Sequence, residues 1–222
     1  MAVDGHPLEA AVYIPRHFAV TDVAKLASVM RENSFATLVT CADGAPFASH
    51  LPLLFTADGE NGAVLEGHMA RANPQWQQLA AGGEALAIFA GPHGYISPGW
   101  YSQHPSVPTW NYVAVHVYGV ATVHEDAAWL ASLVRRLTAV YEAGQISPWS
   151  PELPPDYERN MLGAIVGFSL AVTRIEGKFK LSQNRSDADR AGVNLALSSS
   201  PHADDRKLAQ FMAAQGLVPS DA

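Results

Sequence analysis

The spacing of apolar positions changes period several times along the chain, and each change marks an element. Val23, Leu26, Ala27 and Met30 fall at i, i+3, i+4 and i+7. That spacing predicts a helix over residues 21–33, with Thr21 placed to cap it. Residues 35–40 (FATLVT) are apolar and β-branched and predict a strand. Ala42-Asp43-Gly44 predicts a turn, and residues 47–55 the returning strand of a hairpin. Pro52 has no N–H to give to a ladder, which suits an edge or a bulge. A second turn over 58–62 leads into a strand over 63–67. Asn73 as N-cap and Pro74 at N1 open a short helix that runs to about Ala81, where Gly82-Gly83 stops it.

A strand follows over 84–90, then a loop over 91–108 rich in proline and glycine, long enough to suggest a functional or mobile segment. Residues 109–124 alternate and predict one long strand, bent at Gly119. Leu130, Leu133, Leu137 and their neighbours Val134 and Val140 give one apolar face to a helix over 125–143. After a proline-rich loop come a short helix over 156–162 and a strand over 165–175. The stretch 179–185 precedes a helix over 186–197 capped by Ser186, and a terminal helix spans 203–215. About six antiparallel strands in a meander with inserted helices predict a mainly β, α+β fold: a small barrel with peripheral helices. The expected organisation is a flexible tail over 1–12, one domain over 13–200, and a C-terminal helix and tail over 201–222.

The composition supports a folded chain. Of 222 residues 48% are hydrophobic, and five Trp, seven Tyr and eight Phe exclude disorder. The one cysteine, Cys41, forbids an internal disulfide and suits a reducing compartment. With no readable leader and no long apolar run, the expected location is cytoplasmic, with no membrane partner. Fourteen basic against twenty-one acidic residues give a net charge of −7. That argues against a broad nucleic-acid surface, so direct DNA binding is not expected.

Three stretches can carry chemistry. In Gly67-His68-Met69-Ala70-Arg71-Ala72-Asn73-Pro74-Gln75-Trp76 a strand end, a guanidinium and a capped helix start follow one another, a pattern that can cradle a phosphate. It is equally the pattern of an ordinary cap with Arg71 in a surface pair. Trp110, Asn111 and Tyr112 open the long strand, the aromatics on one face and the amide on the other. A ring and an amide suit a planar heteroaromatic ligand, although a core Trp on a barrel strand fits the pattern better. Lys178, Lys180, Gln183, Asn184 and Arg185 gather three cations and two amides within eight residues of an acidic chain. They suit a phosphate or the polar edge of a flavin, or form a solvated loop before the Ser186 cap. Among nine histidines no metal spacing is present. His50 and His68 fall on strands expected to neighbour each other and can face one another. Cys41 has no nucleophile signature and reads as structural.

These stretches, with Tyr13-Ile14-Pro15-Arg16-His17-Phe18, residues 32–40 (ENSFATLVT), His50-Leu51-Pro52-Leu53-Leu54 and Pro108-Thr109-Trp110-Asn111-Tyr112, resemble the PaiB-type FMN-binding negative transcriptional regulators. Six blocks stand in the family's order over about residues 12–200. The resemblance implies an FMN-binding split β-barrel and a homodimer with FMN at the subunit interface. It implies cofactor contacts from His50, His68, Met69, Arg71, Ala72, Asn73, Trp110, Asn111, Lys180, Gln183, Asn184 and Arg185. Arg71 is expected to take the phosphate, with Lys180 and Arg185 adding positive charge, and Arg71→Ala to cost about 1–3 kcal/mol of FMN affinity. Two alternatives remain open on the same barrel: a flavin-dependent oxidoreductase and a haem-binding protein.

Overall fold

The computed structural model describes residues 12–58, 62–150 and 152–218. Most of the expected N-terminal tail lies outside them. Val12 is within them, and its N–H donates to Glu176 Oε2 at 3.2 Å.

Eight strands follow the order β3-β2-β6-β7-β8-β5-β4, with β1 (Ala19–Val20) antiparallel to β8. The hairpin of β2 (Phe35–Ala42) and β3 (Ala45–Pro52) closes on Asp43 and Gly44. Both have positive φ, 52° and 78°, the backbone that a two-residue turn between right-twisted strands demands. The return strand expected over 47–55 is instead two strands, divided at Leu53. Pro52 cannot donate, and Leu53 turns inward to 2% exposure while its N–H bonds to Ser34 O at 2.9 Å. β4 (Leu54–Asp58) then lies at the opposite end of the strand order from β3. One residue joins the two ends, so the strands curl round on themselves. The expected mainly β fold with peripheral helices is the one observed.

Two strands outrun their predicted ends by five residues or more. β6 spans Glu84–Ile96, six residues into the expected loop, and β8 spans Ile165–Lys180, which puts Lys180 on a strand. Gly94 makes the first extension possible, because a Cβ there would meet Asp205 Oδ1 at 3.0 Å and Leu208 Cδ2 at 3.1 Å. β5 (Gly62–Ala70) and β7 (Thr109–His124) complete the set. The predicted cap of α1 (Val23–Glu32) shifts from Thr21 to Asp22, whose Oδ1 accepts from Ala24 N and Lys25 N at 2.9 and 3.2 Å. α2 (Gln75–Ala80), α3 (Ala127–Glu142), α4 (Pro155–Gly163), α5 (Asp187–Ser198) and α6 (Ala203–Ala214) stand within a few residues of their expected places.

The chain forms two compact units, and β6, β7 and β8 contribute to both. Among the described residues, one comprises 22–91 and 114–175, the other 12–21, 92–113 and 176–218. In the first, Leu38, Leu65, Met69, Phe89, Val115 and Phe168 are buried inside the curl, while α3 buries Leu130, Leu133 and Leu137. In the second, Ile96, Phe179 and Leu181 are buried, as are Val193 and Leu197 of α5 and Leu208 and Met212 of α6. α6 is therefore part of a core rather than an appendage. No described helix is long and apolar enough to cross a membrane.

Candidate functional site

In the 22–91/114–175 unit the Arg71 guanidinium is already engaged. Nε donates to Gly163 O at 2.8 Å, one terminal nitrogen to Glu125 Oε2 at 2.5 Å and the other to Ile165 O at 3.2 Å. The carboxylate offsets its charge, and the two carbonyls join the end of β5 to the start of β8. This is the surface-pair arrangement that the sequence left open. An incoming phosphate would have to compete with Glu125.

Asn73 caps as expected, accepting from Gln75 N at 3.0 Å, and its amide donates to Ser49 Oγ at 2.8 Å. Gln75 is fully buried and ties α2 to the hairpin by donating to Leu38 O and Phe47 O at 3.0 and 3.2 Å. Ala72 is exposed.

Two expectations for this unit change. Met69 is 2% exposed and packs into the core, because it shares strand parity with Leu65 and Gly67. Its side chain has no surface for a ligand. His50 and His68 lie on strands that touch but are not hydrogen-bonded to each other, since β3 pairs with β2 whereas β5 pairs with β4 and β8. His50 is exposed and stacks on Phe35 at 6.3 Å. His68 is half-buried, and burial lowers its pKa, so it is held neutral at pH 7. No cluster of metal-ligating side chains occurs among the described residues.

The other unit brings four of the predicted residues together. Asn111, Lys180, Asn184 and Arg185 line a pocket of about 240 Å³ with Tyr101 and Ser182. That is smaller than the roughly 300–1,000 Å³ of a site that takes a whole ligand, and suits a phosphate or one edge of a larger molecule. Among the described residues neither Lys180 nor Arg185 has a carboxylate partner. Lys180 Nζ donates to Thr109 Oγ1, and Arg185 lies 4.2 Å from the Tyr101 ring centre with only a 3.4 Å contact to Ser106 Oγ. Burial pushes the Lys180 ammonium below its usual range; Tyr112 opposes this and Lys178 adds to it. An anion in the pocket would relieve both causes.

The strand parity read from the sequence holds, and its outcome reverses the expected core Trp. Asn111 is fully buried whereas Trp110 is 54% exposed. Trp110 stands near His93 and Tyr95, with ring centres 6.5 and 6.1 Å away. Asn111 Nδ2 donates to Ser182 Oγ at 2.9 Å. Ser182 has φ 64°, a left-handed conformation that costs a non-glycine residue about 1–3 kcal/mol. Gln183 is folded back on the same turn, its Oε1 accepting from Leu181 N at 2.7 Å and its Nε2 donating to Phe179 O at 2.5 Å. It shapes the turn, with one N–H and the oxygen of its amide held by the backbone.

Asp189 is the residue that sequence reasoning missed. It is fully buried, and Oδ1 accepts from Ser102 N, Ser102 Oγ and Gln103 N at 2.7, 2.8 and 3.3 Å. It thus fixes the loop beside Tyr101. Burial raises its pKa, but hydrogen bonds from Ser102, Gln103 and Ser186 outweigh this and leave it lowered. A group with a depressed folded pKa contributes stability above its unfolded value of about 3.9 and loses it as pH falls through the folded value. Asp189→Asn is therefore expected to lower the melting temperature at pH 7 and to flatten its acid decline. Thermal melts of both proteins from pH 7 to 2 check this; parallel curves would contradict it.

A closed curl of antiparallel strands with helices outside it is the architecture of the split-barrel class of proteins. Solved structures agree on the fold. The chain is 18% identical to an FAD- and haem-binding protein of Mycobacterium smegmatis, with a TM-score of 0.58 and coverage of 77% of this chain and 78% of that one. It is 17% identical to the flavocytochrome Anf3 of Azotobacter vinelandii, with a TM-score of 0.56 and coverage of 75% and 72%.

The chain belongs to the family described as "Putative FMN-binding domain", whose model matches residues 12–174. FMN is accordingly its cofactor. It is also 39% identical over 203 residues to the "Protease synthase and sporulation protein PAI 2" of Bacillus subtilis, covering 90% of this chain and 96% of that protein. The resemblance to PaiB-type proteins read from the sequence stands.

Proposed function

We propose that this chain is a cytoplasmic, homodimeric FMN-dependent regulatory protein that holds the cofactor phosphate against Lys180 and Arg185. One observation carries the placement: two cations without carboxylate partners share a pocket with the amides of Asn111 and Asn184. A phosphate near −2 needs such donors, and charge-assisted bonds are the strong ones. The small volume fits that end of FMN and leaves the ring outside. Exposed Trp110 supplies a surface on which a flavin ring can stack. Bound FMN supplies one- and two-electron redox chemistry. The residues of this chain bind the anion through Lys180 and Arg185, shape the pocket through the Asn111–Ser182 contact, and keep its wall in place through Asp189.

A second placement, at Arg71, has a point in its favour: Arg71 lies within the family match, which ends at residue 174, before Lys180. Its engagement by Glu125 weighs against it.

The regulatory role follows the name of the Bacillus subtilis relative and the PaiB resemblance. With a net charge of −7 it would operate without a tight grip on duplex DNA. Exposed Ile146 and Tyr157 supply apolar surface for a subunit contact.

Absorbance spectra and size-exclusion chromatography with light scattering, on protein with and without added FMN, test the reading. Flavin bands on a dimer are expected. A Soret band would support the haem alternative, and steady NAD(P)H turnover by FMN-loaded protein the oxidoreductase. A monomer that does not take up FMN would overturn the proposal.

A further inference from the structure

A cavity in the 22–91/114–175 unit lies among α3, α4, the residues Trp149, Glu152 and Leu153, the end of β5 and the start of β8. Its volume is about 580 Å³, within the range of small-molecule sites. Ala70, Ala131, Val134, Leu162 and Ile165 make its wall largely apolar. The alanines leave a slot that longer side chains would fill.

The charged residues of its lining reach solvent. Glu152 and Glu158 stand there against one guanidinium, Arg135, which reaches Glu158 at 3.5 Å. Both members of that pair are solvent-exposed, so it is weak. Glu152 has no ion-pair partner among the described residues, and the half-exposed Trp149 ring stands beside it in the lining. The remaining titratable group, His68, is neutral and adds no positive charge. An apolar body with a positive head matches this pattern. The walls remove the body from water, and a carboxylate and an aromatic face receive the ammonium.

We propose that the cavity among α3, α4, β5 and β8 binds a small organic monocation, an amine with an apolar or aromatic body, whose ammonium is received by Glu152 and Trp149. The site is built from different residues than the Lys180–Arg185 pocket and selects the opposite charge. It does not depend on where FMN binds.

Calorimetric titration of the full chain with three probes of one shape tests it: 2-phenylethylamine, 2-phenylethanol and 3-phenylpropanoate. The amine is expected to bind at about millimolar concentration or below, at least about tenfold tighter than the alcohol, with the anion weakest. Glu152→Gln, a surface change that leaves the fold intact, is expected to remove that preference without altering FMN titration. In Glu152→Gln/Glu158→Gln, Arg135 is left alone at the opening and the preference should invert toward 3-phenylpropanoate. Absence of saturable heat with the amine up to about 10 mM, several times the weakest affinity expected, overturns the proposal. Equal affinity for amine and alcohol, or an amine preference that survives Glu152→Gln, overturns it as well.

Discussion

Replacing Lys180 and Arg185 together by alanine is expected to weaken FMN binding by ~3–5 kcal/mol, a factor of roughly 10²–10⁴ in Kd. Each side chain offers charge-assisted donors to a phosphate, and such bonds contribute about 1.5–3 kcal/mol apiece. Neither cation has a carboxylate to fall back on among the described residues, so little of that loss is recovered in the free protein. Flavin fluorescence titration reads the effect directly. Arg71→Ala and Glu125→Gln are the controls. With the phosphate at Lys180 and Arg185, both leave FMN affinity within about threefold of the parent. With the phosphate at Arg71, the first weakens FMN and the second strengthens it, because Glu125 no longer competes for the guanidinium. The opposite signs make the two placements distinguishable in one set of titrations.

Gly119→Ala is expected to destabilise the fold by ~3 kcal/mol, at the upper end of overpacking costs. The sequence suggested a bend at this glycine. The structure gives a different reason for it, a close approach of two strands. A Cβ at Gly119 would collide with the Ala171 carbonyl oxygen and come within 2.9 Å of Leu170 Cγ. Both obstacles are fixed, one being β8 backbone and the other a fully buried core side chain. For a protein of this size the loss corresponds to a fall of roughly 6–12 °C in Tm. Gly163→Ala is the matched control. A Cβ there meets nothing within 4 Å, so its Tm should stay within about 2 °C of the parent. Equal melting of the two variants would show that β8 yields at Ala171.

The hairpin of β2 and β3 was legible because Asp43-Gly44 encodes a turn without help from distant residues. The helices were legible because their apolar periodicity and caps are local, and even the shift of the α1 cap from Thr21 to Asp22 is a matter of one residue. The division at Leu53 was not legible. It depends on Ser34 being present to accept a bond from Leu53 N. The extension of β6 was hidden for a similar reason: Gly-Pro-His-Gly looks like a loop until α6 packs against Gly94.

At the candidate site the alternation along β7 gave the opposite orientations of Trp110 and Asn111. It could not say which face was inside. Composition marked Lys180 and Arg185 as an unusual concentration of charge, but the same composition argument served Arg71, and the structure separates them. Glu125, 54 residues away along the chain, pairs with Arg71, and no described carboxylate reaches the other two. Asp189 carried no sequence signal, since an acidic residue in the first turn of a helix is commonplace. Its role comes from Ser102 and Gln103, more than 80 residues earlier.

By itself, then, the sequence determined the helices, the hairpin turn, the strand parities, the acidic balance of the chain and the motifs that mark its family. All of these arise from residues within a few positions of one another or from sums over the chain. Only the tertiary structure decided which cations keep their charge available, which face of β7 is buried, why Gly119 must be glycine, and that α3 and α4 enclose a cavity. Those outcomes depend on which distant groups share a few ångströms of space, and Coulomb pairing, desolvation and steric exclusion all act at that range.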